Sequence, residues 1–92
     1  MNQKYLVVYD LRGLNKNYDG LIKRIEEFPT SLKINNSSWL IVTSFSAVDV
    51  RDILKEYIDS DDSLFVGKLT GEAAWYNADS KPDDIKNALN KN

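Results

Sequence analysis

The chain has 92 residues and a formal net charge of −2 at pH 7, and it contains neither cysteine nor histidine. Its length fits a single domain, and its 42% hydrophobic and 28% charged residues are ordinary for a globular protein. The missing residue types exclude disulfides, thiolate or imidazole metal sites and a histidine-dependent catalytic triad. Any chemistry therefore falls to carboxylates, hydroxyls and lysine, with a hard, oxygen-preferring metal as the natural cofactor.

The N-terminal segment favours a cytoplasmic protein with no membrane partner. The apolar run at residues 5–9 is far shorter than a membrane span or a signal peptide requires. The absence of cysteine agrees with a reducing compartment. The negative net charge argues against a surface that attracts nucleic acid as a whole, although a local basic patch is compatible with it.

Two dense apolar runs predict the central strands of a sheet. Residues 5–9 form a continuous run of β-branched and aromatic side chains that ends at Asp10, and residues 39–43 form a second run. Strands that are covered on both faces carry such runs, so both are expected in the middle of the sheet. Residues 31–35 alternate between apolar and polar, which is typical of an edge strand, and residues 64–69 supply the fourth strand.

Apolar residues at helical spacing predict a first helix after residue 17. The stripe runs from Tyr18 to Phe28, with charged residues between its members. Asn17 is the expected N-cap, because its side chain can accept a hydrogen bond from the first turn. Pro29 is expected to end the helix.

A second helix is predicted behind Ser46, which with Asp49 resembles a capping box. The apolar stripe of this helix comprises Val50, Ile53, Leu54, Tyr57 and Ile58. A short last helix is expected behind Ser80, within a C-terminal tail at residues 77–92. The segment at residues 59–62 breaks the second helix before the fourth strand.

The order of these elements is βαββαβ, which predicts the α+β class and a ferredoxin-like sandwich. Right-handed crossovers give an antiparallel sheet with strand order 4-1-3-2 and the helices on one face. The opposite face would then lack a helical cover. Its apolar residues, for which Tyr5, Tyr9 and Trp39 are candidates, would need a partner or the C-terminal segment.

Asp10 is the candidate catalytic and metal-binding residue. It stands where the first strand ends, and a strand end holds a side chain rigidly at the rim of a sheet. One carboxylate binds Mg²⁺ poorly by itself, so waters, a phosphate or a second copy across a two-fold axis would have to complete the site. The alternative is a loop-start aspartate that hydrogen-bonds nearby backbone amides.

Residues around the first loop are candidate contacts to nucleic acid. Arg12 and Lys16 follow Asp10, and Tyr9 precedes it, a combination that suits phosphates and stacked bases. Acidic residues in the following helix dilute this charge, and a mixed face of lysine and glutamate is usually a solvated one.

Trp39, Trp75 and Tyr76 are expected in a dimer interface or in internal packing. The adjacent pair Trp75-Tyr76 would also suit base stacking, but packing is the more common role of such a pair. The aspartates of residues 59–62 lack the glycine and the terminal glutamate of a calcium-binding loop. A solvated turn is therefore expected there.

Several segments resemble the Cas2-type CRISPR-associated proteins. Residues 5–11, YLVVYDL, are similar to the first strand of that family, which ends in a characteristic aspartate, here Asp10. The segments SSWLIVT and SLFVGKLTG, with AAWY after the latter, resemble the small Cas2-like proteins of the SinR family. The resemblance covers roughly residues 4–76, and it implies a homodimer of a ferredoxin-like domain at residues 1–76.

The resemblance also implies that Asp10 approaches its mate at the dimer cleft and binds magnesium. Some Cas2 proteins are metal-dependent nucleases, and others are DNA-binding adaptors in spacer acquisition. The chain departs from the family pattern in that only Arg12 and Lys16 are basic after the aspartate. Three functions stay open: a dimeric nucleic-acid-binding or adaptor protein linked to CRISPR or mobile-element defence, a magnesium-dependent endonuclease that uses paired Asp10, and a non-enzymatic module whose open sheet face binds a protein partner.

Overall fold

The computed structural model describes residues 2–12 and 18–91. The elements in chain order are β1 (Gln3–Asp10), α1 (Asp19–Glu26), β2 (Thr30–Asn35), β3 (Ser38–Thr43), α2 (Ala47–Lys55), β4 (Ser63–Lys68) and α3 (Pro82–Leu89). The predicted α+β class is confirmed. No helix in the described ranges is long and apolar enough to cross a membrane.

The four strands form one antiparallel sheet in the order β2-β3-β1-β4. This is the predicted order 4-1-3-2 seen from the opposite edge, and it places the two dense apolar runs in the middle. All six residues of β3 are buried. Burial on both sides explains why hydropathy along this strand is continuous rather than alternating.

The first face of the sheet packs against α1 and α2, as predicted for the two main helices. Tyr5, Val7 and Tyr9 project from β1 into this core, together with Trp39 and Ile41 from β3. The helices contribute the buried residues Leu21, Ile25, Val50 and Leu54. The prediction that Tyr5, Tyr9 and Trp39 lie on the face without main helices is therefore wrong.

The second face of the sheet packs against α3, the short helix of the C-terminal tail, so this face is covered by the C-terminal segment that was one of its two expected covers. Leu40 and Val42 of β3 lie on this face with Ile85 and Ala88 of α3, and all four are at most 3% exposed. Leu6 and Val8 of β1 alternate with the first-face residues and are partly buried. The C-terminal segment thus supplies a cover for the face that the two main helices leave open.

The start of α2 confirms the predicted cap. Ser46 has an extended backbone, and its hydroxyl oxygen accepts a hydrogen bond from the backbone N–H of Asp49 at 3.1 Å. The end of this helix differs from the prediction, because Tyr57 lies beyond it and is 42% exposed. The predicted N-cap of α1, Asn17, lies outside the described residues, and the helix begins at Asp19.

Tyr5 ties β1 to the loop before α2. Its hydroxyl donates a hydrogen bond of 2.7 Å to the carbonyl oxygen of Phe45. Burial raises the pKa of Tyr5, and the nearby charge of Asp49 raises it further. The hydroxyl therefore stays protonated and keeps donating this bond above the pH at which an exposed tyrosine ionises.

Candidate functional site

Asp10 lies at the last position of β1, opposite Ser63 of β4. Its carboxylate accepts a hydrogen bond of 2.9 Å from Nε of Arg12, and the two side chains are 63% and 59% exposed. Exposed ion pairs of this kind contribute little to stability, because water already solvates both charges. Asp10 is therefore accessible to a ligand at the rim of the sheet.

Asp62 connects several segments by hydrogen bonds at the end of the sheet where Asp10 lies. Its carboxylate accepts hydrogen bonds from the backbone N–H of Arg12 at 2.7 Å and from the hydroxyl of Tyr18 at 2.9 Å. It also accepts one from the backbone N–H of Asp59 at 2.8 Å. Asp62 thus links the chain on both sides of residues 13–17 to the turn before β4. The turn expected at residues 59–62 is present, with Ser60 and Asp61 exposed, and Asp62 is the residue that ties it to the rest of the fold.

An Asp62→Ala substitution is expected to lower the free energy of unfolding by about 2 kcal/mol, because it removes the carboxylate that accepts hydrogen bonds from the Tyr18 hydroxyl and from the backbone N–H groups of Arg12 and Asp59. Urea denaturation followed by circular dichroism measures this effect. Asp61→Ala is the matched control, since Asp61 is an exposed aspartate of the same turn, and its change should stay within about 0.5 kcal/mol. Equal losses in the two variants would contradict the linking role of Asp62.

Tyr9 is a core residue rather than a surface contact. It is 4% exposed, and its hydroxyl accepts a hydrogen bond from the indole N–H of Trp39 at 3.0 Å. The same hydroxyl donates to the carbonyl oxygen of Asn36 at 3.3 Å. Neither ring face of Tyr9 is open for a base to stack on, and Trp39, at 5% exposed, serves packing.

The remaining predicted contacts are Lys16, Trp75 and Tyr76. Lys16 lies outside the described residues. Trp75 lines an apolar cavity of about 230 Å³ on the second face, with Leu6 and Leu40 among its walls. Tyr76 is the most open aromatic side chain among the described residues, at 89% exposed.

The donor set around Asp10 does not fit a magnesium site within one chain. No group of three or more aspartate and glutamate side chains that would hold a metal occurs in the ranges 2–12 and 18–91. Asp10 itself faces the guanidinium of Arg12, which competes with a cation for the carboxylate. A second copy would have to bring further oxygen ligands.

Two exposed apolar residues at the β4 edge form a second candidate site, which sequence reasoning missed: Phe65, whose ring lies on the second face, and Val48 of α2 on the side of the first face. Phe65 is 64% exposed and Val48 is 55% exposed. Both line an open groove of about 260 Å³ between α2 and β4. The sequence feature that could have indicated this site is an apolar residue, Phe65, at a solvent-facing position of a predicted edge strand. An exposed edge strand is a recognised template for pairing with another strand.

Comparisons with protein-family models, with curated proteins and with solved structures found no match for this chain. The resemblance to Cas2-like proteins of the SinR family therefore stays a prediction. Fold alone does not define function, so the placement of the chain's own residues has to support any functional conclusion.

Proposed function

We propose that this protein is a homodimeric adaptor of Cas2-like type, with a ferredoxin-like arrangement of its sheet and its two main helices. The observation that carries the proposal is the exposure of Phe65 and Val48 beside an edge strand. A large apolar side chain at such a place costs solubility in a monomer and stabilises a complex. A site of action in the cytoplasm rests on the absence of cysteine and of a long apolar run in the sequence, and a link to CRISPR or mobile-element defence rests on the resemblance alone.

Nucleic acid is the candidate ligand of this adaptor. Arg12 supports it through an exposed guanidinium at the rim, and Lys16 follows in the sequence. The negative net charge and the burial of Tyr9 weigh against strong binding. Binding through phosphates would therefore be weak and would fall steeply as salt is raised.

A magnesium-dependent endonuclease is the alternative function. The accessible carboxylate of Asp10 at the end of β1 favours it. Because the neighbouring carboxylate of Asp62 is engaged in hydrogen bonds within the chain, this function needs a dimer in which the two Asp10 side chains meet. An adaptor without cleavage activity makes no such demand.

The experiment compares wild type with Asp10→Asn in cleavage assays on RNA and DNA with magnesium, alongside fluorescence anisotropy at low and high salt. The adaptor function predicts no cleavage above background by either protein, and any binding should fall with salt. Asp61→Asn, at an exposed aspartate, is the matched control for loss of charge. Cleavage by wild type and by Asp61→Asn, but not by Asp10→Asn, would replace the adaptor with the endonuclease.

A further inference from the structure

The two edge strands of the sheet, β2 and β4, differ in how far other parts of the chain cover them. At the β2 edge, the backbone N–H of Asp79 donates to the carbonyl oxygen of Ile34 at 3.0 Å, and the hydroxyl of Ser80 donates to that of Lys33 at 2.9 Å. The register of β2 also shifts between Lys33 and Asn35. A covering segment and an irregularity are both features that keep an edge strand from pairing with another chain.

The β4 edge lacks these protections within the part of the chain that the structure describes. β4 pairs there with β1 alone, in unbroken register from Tyr5–Lys68 to Asp10–Ser63. It contains no proline, and Phe65 stands exposed near its centre. A regular, apolar edge strand of this kind offers its free backbone groups to a further strand.

We propose that β4 pairs antiparallel with β4 of a second copy of this chain, which joins the two sheets into one sheet of eight strands. The inference rests on the homodimer proposed above and identifies the surface through which it forms. A two-fold axis relates the copies, so the same patch serves both sides of the interface.

The pleat of the sheet restricts the register of this pairing. Residues directly opposite each other must project to the same face of the joined sheet. Because side chains alternate along each strand, two opposite residues must both have even numbers or both have odd numbers. The two-fold axis therefore passes through a residue of β4 and not between two residues. Placing the axis at Phe65 sets Leu64 opposite the partner's Val66. It also sets Ser63 opposite the partner's Gly67. Leu64 and Val66 both pack against the first-face core, so their apolar surfaces continue across the junction.

Charge complementarity selects the same register. β4 begins behind the acidic pair Asp61-Asp62 and ends at Lys68. With the axis at Phe65, Lys68 of each copy comes close to the partner's exposed Asp61, while the carboxylate of Asp62 keeps its hydrogen bonds within its own chain. Opposite charges in cross-strand positions stabilise antiparallel pairs, and here the favourable pair occurs twice.

Phe65 has the geometry of an interface residue. A Cβ atom on Gly67 would lie 2.7 Å from Cε2 of Phe65, so the ring lies over the glycine on the second face. The two Phe65 residues are directly opposite at the proposed axis, and each ring extends over its own Gly67 and covers the second face on either side of the axis. Val48 of α2 adds exposed apolar surface next to the same edge.

This dimer keeps the two Asp10 side chains apart. Asp10 is opposite Ser63, and Leu6 is opposite Gly67. Three strand spacings and four residues along the strand then separate the two aspartates by about 20 Å. The β4 dimer therefore favours the adaptor over the endonuclease.

Sedimentation equilibrium on the full chain tests the inference with Phe65→Glu and Tyr76→Glu. Both residues are exposed aromatics, at 64% and 89%, so each charge is introduced at the surface of the fold. Wild type and Tyr76→Glu should be dimers. Phe65→Glu places two carboxylates at the axis and should raise the dimer dissociation constant by about a hundredfold or more.

The outcomes separate this inference from the proposed function. If wild type is a dimer and Phe65→Glu is also a dimer, the β4 interface is wrong but the proposed homodimer is not. Dissociation by Tyr76→Glu instead would be the clearest form of that result. A monomeric wild type at all concentrations would overturn both. Circular dichroism of each variant verifies that its fold is intact.

Disulfide trapping provides a second measurement that does not depend on a destabilising charge. The chain has no cysteine, so Phe65→Cys and Tyr76→Cys are single-thiol variants. Directly opposite residues of antiparallel strands have Cα atoms about 4.5–5.5 Å apart, which falls within the range of disulfides. Phe65→Cys should form a covalent dimer under mild oxidation far faster than Tyr76→Cys does, and equal rates would contradict the axis at Phe65.

Discussion

Trp39→Ala is expected to lower the free energy of unfolding by about 3–5 kcal/mol, which is much of the total stability of a domain of this size. Trp39 is 5% exposed and lies in the core between the sheet and the two main helices. The substitution leaves a large cavity, and it removes the indole N–H that donates to the hydroxyl of Tyr9. Chemical denaturation followed by far-UV circular dichroism measures the loss.

Trp75→Ala is the control for Trp39→Ala, because it removes the same side chain from a site that is 36% exposed. We expect it to cost clearly less, since part of the ring is already solvated in the folded state. If the two substitutions cost the same, the packing role assigned to Trp39 would be wrong. If Trp39→Ala changed self-association without changing stability, Trp39 would belong to an interface instead.

Ile85→Asp is expected to cost about 4 kcal/mol or more, because it places a carboxylate where an apolar side chain is 2% exposed. Ile85 covers Leu40 and Val42 of β3 on the second face. Its loss should detach α3 and expose the apolar residues beneath it. Thermal unfolding and binding of a hydrophobic dye report the two consequences.

Lys86→Asp is the matched control, since it introduces the same residue at the next, exposed position of α3. It should leave the thermal midpoint nearly unchanged. A similar loss from both variants would mean that helix propensity or net charge, rather than burial of Ile85, determines the effect. An unchanged midpoint for Ile85→Asp would show that α3 does not stabilise the sheet.

Most of the elements could be predicted from the sequence, because each has a local cause. Continuous β-branched and aromatic runs identified β1 and β3 as central strands, and the residues at helical spacing identified α1 and α2. Ser46 marked the start of α2 through a hydrogen bond within its own first turn. The ends of elements were less accurate, as Tyr57 shows, because the packing of neighbouring elements decides where a helix stops.

The candidate site was less predictable, because its contacts join distant parts of the chain. Asp62 accepts hydrogen bonds from Arg12 and Tyr18, which are 50 and 44 residues away in sequence. No local pattern distinguishes such an aspartate from the exposed Asp61 beside it. Asp10 was identified correctly as a rim residue at a strand end, and its role stays a prediction.

The sequence by itself determined the α+β class, the two central strands and the exclusion of cysteine and histidine chemistry, because these follow from composition and local periodicity. Only the tertiary structure decided which side chains of β1 meet the main helices. Tyr5, Val7 and Tyr9 alternate with Leu6 and Val8, and both sets are apolar, so hydropathy carries no information about their direction. The position of α3 and the open edge of β4 were likewise set by how the elements pack, since coverage of a face or an edge depends on residues far away in the chain.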